Sequence, residues 1–349
     1  MDLYANKLTA GLRAVANDGE FELVAVKPSP RHHRYIARYV VYPQRAKSYR
    51  ADVYHVLDHS YGHLVGALDA TRTVVTVHDV YPLRLVNERA DSWRERLRNR
   101  LLRWVMTQMQ RAGWLIADSH FTKRELLELT DFPEARISVV HLGVEEAFFQ
   151  PVSLDARQQF RHALRVPEQA PLLLHVGSCD PRKNIPTLLR GFKQWLSESH
   201  VDGHLLQIGG RFTDDHRRLI AALDIASRVH QRPQVSLDDL RCAYQAADVL
   251  LLPSTYEGFG LTVLEAMASA TPVIASHVGP LPEVLGDAGL LVAPINPMTL
   301  AEAVARVLDD ATLRKQLIER GRLRAMAFTW TETARQTLAV YQRIHAEHA

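Results

Sequence analysis

The sequence of 349 residues lacks the features of a membrane-spanning, disulfide-stabilised or metal-binding protein. Its two cysteines, Cys179 and Cys242, form neither a disulfide framework nor a metal-ligand spacing. No apolar run approaches the roughly 18 residues of a membrane span, and no secretory leader opens the chain. There is also no Asp-x-Asp motif, no His/Cys cluster and no internal repeat. We therefore expect a cytoplasmic globular protein without a bound metal or other cofactor.

The composition, with 47% hydrophobic and 23% charged residues, is typical of a globular protein large enough for two domains. The formal net charge is +3, and the segment from Arg84 to Arg124 holds ten basic and four acidic residues. No recognition motif or aromatic-interleaved basic patch accompanies this charge, so nucleic acid is not an expected partner.

Within this basic segment, residues 93–111 have the pattern of a basic amphipathic helix. Its apolar stripe consists of Trp93, Leu97, Leu101, Trp104, Val105 and Met109. Two interpretations stay open. The stripe packs in the core and the arginines face water, or the helix lies peripherally on an anionic membrane or on an acidic partner.

Strand and helix patterns alternate along the chain, which predicts α/β domains with doubly wound parallel sheets. In the first half, Phe21 to Val26 and Thr73 to Val77 read as strands, and residues 27–50 as an irregular basic loop with a short element. Residues 150–169 form the crossing to a second half that restarts the pattern. The predicted domains are residues 1–150 and 151–328, with residues 329–349 as a terminal helix.

The stretch LLLPSTYEGFGLTVLEAMASATPVI begins at Leu250 and is the most informative part of the chain. It predicts a buried strand, a glycine-bearing turn and a helix from Leu261 to Ala270. Such a turn exposes backbone N–H groups and the positive end of the helix dipole to an anion. Gly258 and Gly260 leave room for a ligand to approach the backbone.

Two carboxylates flank this turn. Glu257 precedes the helix, and Glu265 follows within it, some ~8 Å along the axis. An anion at the helix end would leave neutral hydroxyl groups for both carboxylates, which is the layout of a nucleotide sugar. Each glutamate alone is adequately explained as a solvated surface residue; the pair around EGFG is not. The expected buried stripe of the helix comprises Leu261, Leu264, Met267 and Ala268.

A second strand-to-helix turn, VGSCDPRKN, spans residues 176–184. Asp180 suits a helix N-cap and Pro181 the first helical position. Arg182 and Lys183 then stand in the first turn, where cations oppose the helix dipole unless an anion binds there. A diphosphate is such an anion, and the alternative is a pair of solvated surface charges.

The two-glutamate run and the PRKN turn resemble the donor-site signatures of retaining glycosyltransferases of the double-Rossmann (GT-B) type, family four or group 1. The resemblance implies that a nucleotide-diphosphate hexose, of the GDP-mannose or UDP-glucose type, is transferred to a glycan or lipid-linked acceptor. It implies that Glu257 binds the sugar, Glu265 the ribose and Lys183 the diphosphate, with front-face attack and retention. The donor-binding residues that it implies are Gly177, Ser178, Arg182, Lys183, Gly209, Glu257, Gly258, Phe259, Gly260, Leu261 and Glu265.

On the acceptor side, the resemblance implies that His78 lies beside the transferred sugar, so we expect His78, Lys183 and Glu257 to be the catalytic residues. Asp79 is expected to orient the His78 ring. The expected acceptor-side residues are His59, Tyr61, His63 and Asp79. Asp118 and His141 also resemble family positions near the cleft between the two domains. The resemblance further implies that the terminal helix packs back on the first domain.

The chain departs from the family pattern at its start, where a helical pattern replaces the expected first strand and glycine-rich loop. We expect a gap or an unusual edge in the first sheet as a result. Two other functions stay open. One is another GT-B enzyme, such as a nucleotide-sugar epimerase or a phosphorylase, and the other is a catalytically impaired sugar-nucleotide-binding or scaffold protein.

Overall fold

The computed structural model describes residues 2–16, 21–27, 34–86 and 92–349, whose contacts divide the chain into two units. The first unit comprises Met1–Gly143 and Thr329–Ala349, and the second comprises Val144–Phe328. The division falls at 143/144 rather than at 150/151 because the segment after Val144 packs with the second unit. The Phe148 ring, for example, meets the edge of Tyr244 there at 5.7 Å.

The first unit is built on a parallel sheet whose strands pair in chain order, β1-β2-β3-β4. Its elements before the second unit are α1 (Asp2–Val15), α2 (Arg34–Ile36), a π-helix (Ala37–Val41), α3 (Tyr42–Lys47), β1 (Tyr54–Val56), a 3-10 helix (His59–Ala67), β2 (Thr73–Val77), α4 (Tyr81–Val86), α5 (Trp93–Met109), β3 (Trp114–Ala117), α6 (His120–Leu129), a 3-10 helix (Glu134–Arg136) and β4 (Ile137–Val139). The expected gap is not found between the described strands, and the three-residue strand β1 forms one edge.

The second unit is built on a six-stranded parallel sheet with the order β10-β9-β8-β5-β6-β7. Its elements are a 3-10 helix (Glu146–Phe149), α7 (Leu154–Ala163), β5 (Leu172–Val176), a 3-10 turn (Pro181–Lys183), α8 (Ile185–Ser199), β6 (His204–Ile208), α9 (Asp214–Ala222), a 3-10 helix (Ala226–Arg228), β7 (Val229–Arg232), α10 (Leu237–Ala246), β8 (Val249–Leu252), α11 (Leu261–Ala268), β9 (Val273–Ser276), α12 (Leu281–Leu285), β10 (Leu290–Val292), α13 (Pro297–Asp309) and α14 (Ala311–Ala325). Helix α15 (Trp330–His348) follows and belongs to the first unit.

Successive side chains of a strand point to opposite faces of the sheet. Because both faces are covered, the strand sequences are continuous apolar runs. In β2, Val75 faces a core cluster that includes Met109 of α5, whereas Val74 faces a second cluster that includes Ile344 of α15. Both faces of the strand are therefore covered. This arrangement confirms the predicted fold of two Rossmann-like α/β units with parallel sheets.

The order of the second sheet reverses between β5 and β8. Strands β6 and β7 follow on one side of β5, and β8, β9 and β10 lie on the other. The connections leaving the carboxyl ends of β5 and β8 therefore diverge to opposite sides, which opens a crevice at that edge. Open α/β sheets bind ligands at such a switch point.

Two predictions for residues 21–50 are wrong. Residues Phe21–Val26 are not a strand, because no described strand pairs with them; the Tyr42 hydroxyl instead donates a 2.7 Å hydrogen bond to the Val26 carbonyl. An apolar run has strand periodicity whether or not a neighbouring strand is present. Residues 34–47 are helical throughout, so the helical part is longer than the short element expected there, and residues 28–33 lie outside the described part of the chain.

The predicted apolar stripe of α5 is only partly buried. Val105 and Met109 are in the core, where Met109 packs on Gly62, but Trp93 is 65% exposed and Leu97 58% exposed. The 3-10 helix His59–Ala67 covers only the carboxyl half of α5, so the first turns project with their apolar side chains in contact with water. Among the described helices, none has the length and hydropathy needed to cross a membrane.

Candidate functional site

The turns that follow β5 and β8 are joined to each other by hydrogen bonds. The Thr255 backbone N–H donates to the Arg182 carbonyl at 2.8 Å, and the Asn184 amide donates to the Pro253 carbonyl at 3.1 Å. These bonds fix the two turns as one structure at the switch point of the second sheet. Side chains from both turns therefore occupy a defined common site.

A buried ion pair lies at the centre of this site. The Lys183 ammonium donates to Glu257 Oε1 at 2.7 Å, and the Ser254 hydroxyl donates to the same oxygen at 2.6 Å. Arg182 Nη1 lies 3.6 Å from the second oxygen, Oε2. Lys183 is 7% exposed and Glu257 5% exposed, so the charges attract each other with little screening by water. Two cations thus face one carboxylate, which leaves one positive charge uncompensated within this cluster.

The local conformation of the first turn differs from the prediction. Asp180 makes no capping hydrogen bond, and Pro181–Lys183 forms a 3-10 turn, so the long helix α8 begins only at Ile185. Asn184 between them adopts the left-handed conformation, with φ of 53°. The two cations therefore precede the helix, and Glu257 supplies the anion that the sequence argument required. Sequence analysis could not pair Lys183 with Glu257, because the two residues lie in different turns that are far apart in the sequence.

Glycines allow the segments at this edge to pack closely. Gly209 follows β6 with φ of +101°, and a Cβ there would lie 3.1 Å from the Gly177 carbonyl oxygen. A Cβ on Gly177 would lie 3.3 Å from Lys183 Cε, directly beside the ion pair. Gly260 also has φ of +101° and is the residue immediately before α11. Residues with side chains are therefore disfavoured at these positions.

Glu265 lies in α11 and is bonded to a buried tyrosine of α10. The Tyr244 hydroxyl donates a 2.7 Å hydrogen bond to Glu265 Oε2. Burial raises the pKa of Glu265 to about 7, with a smaller contribution from the charge of Glu145, while the hydrogen bond from Tyr244 acts in the opposite direction. Glu265 therefore changes its charge near neutral pH. Sequence analysis did not identify Tyr244.

The buried face of α11 is broader than predicted. Leu264, Met267 and Ala268 are buried as expected, whereas Leu261 is only half-buried. Val263 and Ala266 are fully buried too, because the helix is covered on nearly all sides. The half-buried positions are Leu261, Thr262 and Glu265.

Three other predicted donor residues have contacts of their own. The Ser178 hydroxyl donates to the Asp180 carboxylate at 2.6 Å. Phe259 is 5% exposed, and its ring packs on Phe328 at 6.3 Å. Gly258 is half-buried in the turn before α11. Their roles toward a ligand stay predictions.

A histidine that sequence analysis did not single out lies next to the ion pair. His175, in β5, is fully buried, and its Nδ1–H donates to the Leu251 carbonyl at 2.9 Å. Burial lowers the pKa of His175 to about 4, and the nearby charge of Lys183 acts in the same direction. The imidazole is therefore neutral at pH 7. The one available signal was a polar residue inside the apolar strand LLLHV.

In the first unit, His78 is paired with Asp118 and not with Asp79. Nδ1 of His78 donates to Asp118 Oδ2 at 2.7 Å, and Nε2 donates to the Leu57 carbonyl at 2.9 Å. Burial disfavours the charged ring, but the charge and hydrogen bond of Asp118 outweigh burial and raise the pKa of His78 to about 9. His78 is therefore an imidazolium at neutral pH. The prediction that Asp79 orients the ring is wrong, because its carboxylate accepts the Tyr81 backbone N–H instead.

The predicted acceptor-side residues separate into two groups. His59 is buried near Asp58, with Nδ1 3.6 Å from the carboxylate, and the charges of Asp79 and His78 also act on it. His63 donates from Nε2 to the Arg38 carbonyl at 2.9 Å, and the Arg38 guanidinium stacks over the Tyr61 ring at 4.2 Å.

Comparison with known protein families gives two matches that together cover most of the chain. The family described as "Glycosyltransferase Family 4" matches residues 7–148, and that described as "Glycosyl transferases group 1" matches residues 156–324. The second match contains both turns of the site, including Lys183, Glu257 and Glu265.

Curated relatives carry glycosyltransferase names. The D-inositol 3-phosphate glycosyltransferase of Kineococcus radiotolerans is 35% identical over 260 residues, which is 69% of this chain and 59% of that protein. The O-antigen chain mannosyltransferase B of Escherichia coli is 30% identical over 236 residues, 66% of this chain and 61% of that one. The matched region thus spans about six-tenths of these relatives' length.

A solved structure resembles the whole chain. The sucrose-phosphate synthase of Thermosynechococcus elongatus superposes with a TM-score of 0.77 at 25% identity. The match covers 99% of this chain and 93% of that structure. The fold similarity therefore extends over both units.

Proposed function

Since the chain belongs to the group 1 and family 4 glycosyltransferases, we propose that it transfers a hexose from a nucleotide-diphosphate sugar to a glycan or lipid-linked acceptor. The relative named as a mannosyltransferase supports the transfer of a hexose. We propose a donor of the GDP-mannose or UDP-glucose type. We further propose that transfer retains the anomeric configuration and needs no metal ion.

The observation that carries this proposal is the Lys183–Glu257 pair at the switch point of the second sheet. Arg182 joins this pair, so the cluster carries a net positive charge at the switch point, where open α/β sheets bind ligands. A diphosphate would compensate that charge. Positive side chains are also the groups that a diphosphate leaving group requires when no cation assists.

The chemistry follows from these charges. As the bond between the anomeric carbon and the diphosphate oxygen breaks, negative charge develops on the diphosphate, and Lys183 and Arg182 stabilise it. The acceptor hydroxyl oxygen bonds to the anomeric carbon on the same face, and its proton passes to the departing phosphate oxygen. Glu257 keeps the ammonium in place and binds the sugar hydroxyls. No side chain needs to act as the nucleophile.

We propose that the first unit binds the acceptor, with His78 as its charged residue. The imidazolium is fixed by Asp118 and the Leu57 carbonyl, so it offers positive charge without losing a proton at neutral pH. His59 contributes a second, neutral ring, because burial lowers its pKa.

We also propose a cytoplasmic protein that associates peripherally with the inner membrane face through α5. The helix carries five arginines and one glutamate, and exposes Trp93, Leu97 and Trp104. The aromatic surface continues beyond the helix, since Trp104 lies 6.3 Å from the Tyr39 ring. Apolar side chains among arginines fit the interface of an anionic bilayer.

The test is a transfer assay with GDP-mannose, UDP-glucose and ADP-glucose against a panel of mono- and oligosaccharide and lipid-linked acceptors. We expect release of one nucleoside diphosphate that depends on the acceptor and persists in EDTA. The product should have the anomeric configuration of the donor by NMR.

Other outcomes would favour the alternatives. Conversion of the donor without an acceptor would indicate an epimerase. Donor binding without turnover across the panel would indicate a binding or scaffold protein, and inversion would contradict the front-face mechanism.

A further inference from the structure

We propose that Tyr244 is a positioning residue for nucleotide binding: its phenol holds one carboxylate oxygen of Glu265, so that the other oxygen accepts hydrogen bonds from the ribose hydroxyls. This inference rests on the proposed function and names a residue outside the family signature from which the site was predicted. Tyr244 lies on α10, whereas Glu265 lies on α11.

In this pair, Tyr244 orients the carboxylate and Glu265 is the group that would contact the ligand. Tyr244 is fully buried, and its hydroxyl donates to Glu265 Oε2 at 2.7 Å. The other carboxylate oxygen, Oε1, has no hydrogen-bond partner among the described residues, and it is not sealed from solvent. One oxygen is thus held by the protein, and one remains available to a ligand.

The tyrosine is itself fixed on two sides. The Phe148 ring meets the Tyr244 ring edge-on, with a centroid distance of 5.7 Å and an interplanar angle of 81°. The Thr271 hydroxyl donates to the Tyr244 carbonyl at 2.7 Å. The phenol therefore has little freedom to follow the carboxylate, and Glu265 must take the orientation that the phenol sets.

The energetics argue against a purely structural pair. A buried carboxylate with one neutral donor is costly compared with an apolar side chain of similar size, since desolvation of the charge is only partly offset. Burial accordingly raises the pKa of Glu265. A second set of neutral donors at Oε1, such as a vicinal diol, would offset the rest, whereas a phosphate there would be repelled.

The test is a thermodynamic cycle that removes the Tyr244 hydroxyl from the protein and the two ribose hydroxyls from the ligand, separately and together. Wild type and Tyr244→Phe are titrated calorimetrically with GDP, UDP and ADP and with the 2′,3′-dideoxy form of each. For the nucleotide that binds, Tyr244→Phe should weaken binding about tenfold, because a hydrogen bond to a charged group is involved. The dideoxy form should bind both proteins within about twofold of each other, because it has no ribose hydroxyl to lose.

A matched control separates positioning from loss of a buried phenol. Tyr341 is a partly buried tyrosine, and its hydroxyl bonds to His55 Nδ1 at 2.5 Å in the first unit. Tyr341→Phe should lower stability comparably in urea and leave nucleotide binding unchanged. Thr271→Val, which loosens Tyr244 without touching its phenol, should give a smaller loss confined to the ribosyl ligand.

Each result has one meaning. Equal losses for the nucleotide and its dideoxy form, or no loss for either, would overturn the positioning role while leaving the proposed function intact. Failure of wild type to bind any of the nucleoside diphosphates would overturn the proposed function, and this inference with it.

Discussion

The Lys183 ammonium and the Glu257 carboxylate form a 2.7 Å ion pair between the turns after β5 and β8, and both side chains are more than nine-tenths buried. The pair joins positions 74 residues apart in the sequence. It therefore ties the two turns together, and under the proposed function it keeps a cation ready for a diphosphate.

Removal of either partner is expected to destabilise the protein. Glu257→Gln should lower the free energy of unfolding by about 3 kcal/mol, because Lys183 is left as a buried, unpaired charge. Lys183→Met should cost less, because Arg182 and Ser254 still contact the Glu257 carboxylate. The double variant should lose less than the sum of the two, as measured by urea denaturation of all four proteins.

The exposed ion pair between Arg335 and Glu332 of α15 provides the control. Glu332→Gln should change stability far less than Glu257→Gln does, because water screens that pair. Additive losses from Lys183→Met and Glu257→Gln would show that the buried pair is not coupled.

The charge of His78 is expected to depend on Asp118 and not on Asp79. Asp118→Asn should bring the pKa of His78 from about 9 down toward or below its ordinary value near 6.5, followed by NMR of the imidazole protons. Asp79→Asn should leave the titration in place. Equal shifts in both variants would contradict the hydrogen-bond assignment.

The same pair predicts a pH dependence of stability. The folded pKa of His78 is raised, so its contribution is complete below pH 6.5 and is lost as the pH rises toward about 9. Asp118→Asn should abolish this loss. The comparison of wild type with the variant isolates His78 from other titrating groups.

The raised pKa of Glu265 predicts a second dependence of stability on pH, in a more acidic range. Because burial raises its folded pKa from 4.5 to about 7, the folded state holds a proton that the unfolded state releases between these values. Stability should therefore fall as the pH rises from 4.5 to 7, by on the order of 2 kcal/mol. Urea midpoints of wild type and Glu265→Gln, compared across this range, measure it. A constant difference between the two proteins would contradict the raised pKa.

The exposed half of α5 is expected to bind anionic membranes. Trp93→Ala combined with Leu97→Ala should weaken co-sedimentation with phosphatidylcholine–phosphatidylglycerol vesicles about tenfold, because two apolar side chains are lost from the interface. Leu323→Ala in α14, where the leucine is 70% exposed, is the matched control and should have no effect. Equal binding to pure phosphatidylcholine would contradict a role for the arginines.

The sequence was sufficient to locate the two site turns and the strands β5 and β8 that precede them, because each has a strong local signal. The apolar runs of β5 and β8 are buried on both faces, and glycines mark the turns beside them. Local signals could not show that Lys183 faces Glu257, or that Tyr244 supports Glu265. Both contacts depend on which strands and helices are neighbours in space.

The errors have the same origin. Residues Phe21–Val26 carry a strand pattern, yet pairing requires a neighbouring strand that this position lacks among the described residues. The stripe of α5 has the right spacing, yet only Val105 and Met109 at its carboxyl end are fully buried. The capping role of Asp180 is wrong because Asp180 and Pro181 suit a 3-10 turn as well as an α-helix.

The central claim, a diphosphate site at the turn after β5, is tested most directly by calorimetric binding of GDP, UDP and ADP to wild type, Arg182→Gln and Arg190→Gln. Arg182 lies 3.6 Å from Glu257 at the site, whereas Arg190 is exposed on α8 of the same unit. We predict that one nucleotide binds wild type, that Arg182→Gln weakens it about tenfold, and that Arg190→Gln binds as wild type does. Absence of binding by all three nucleotides, or equal effects of the two substitutions, would contradict the account.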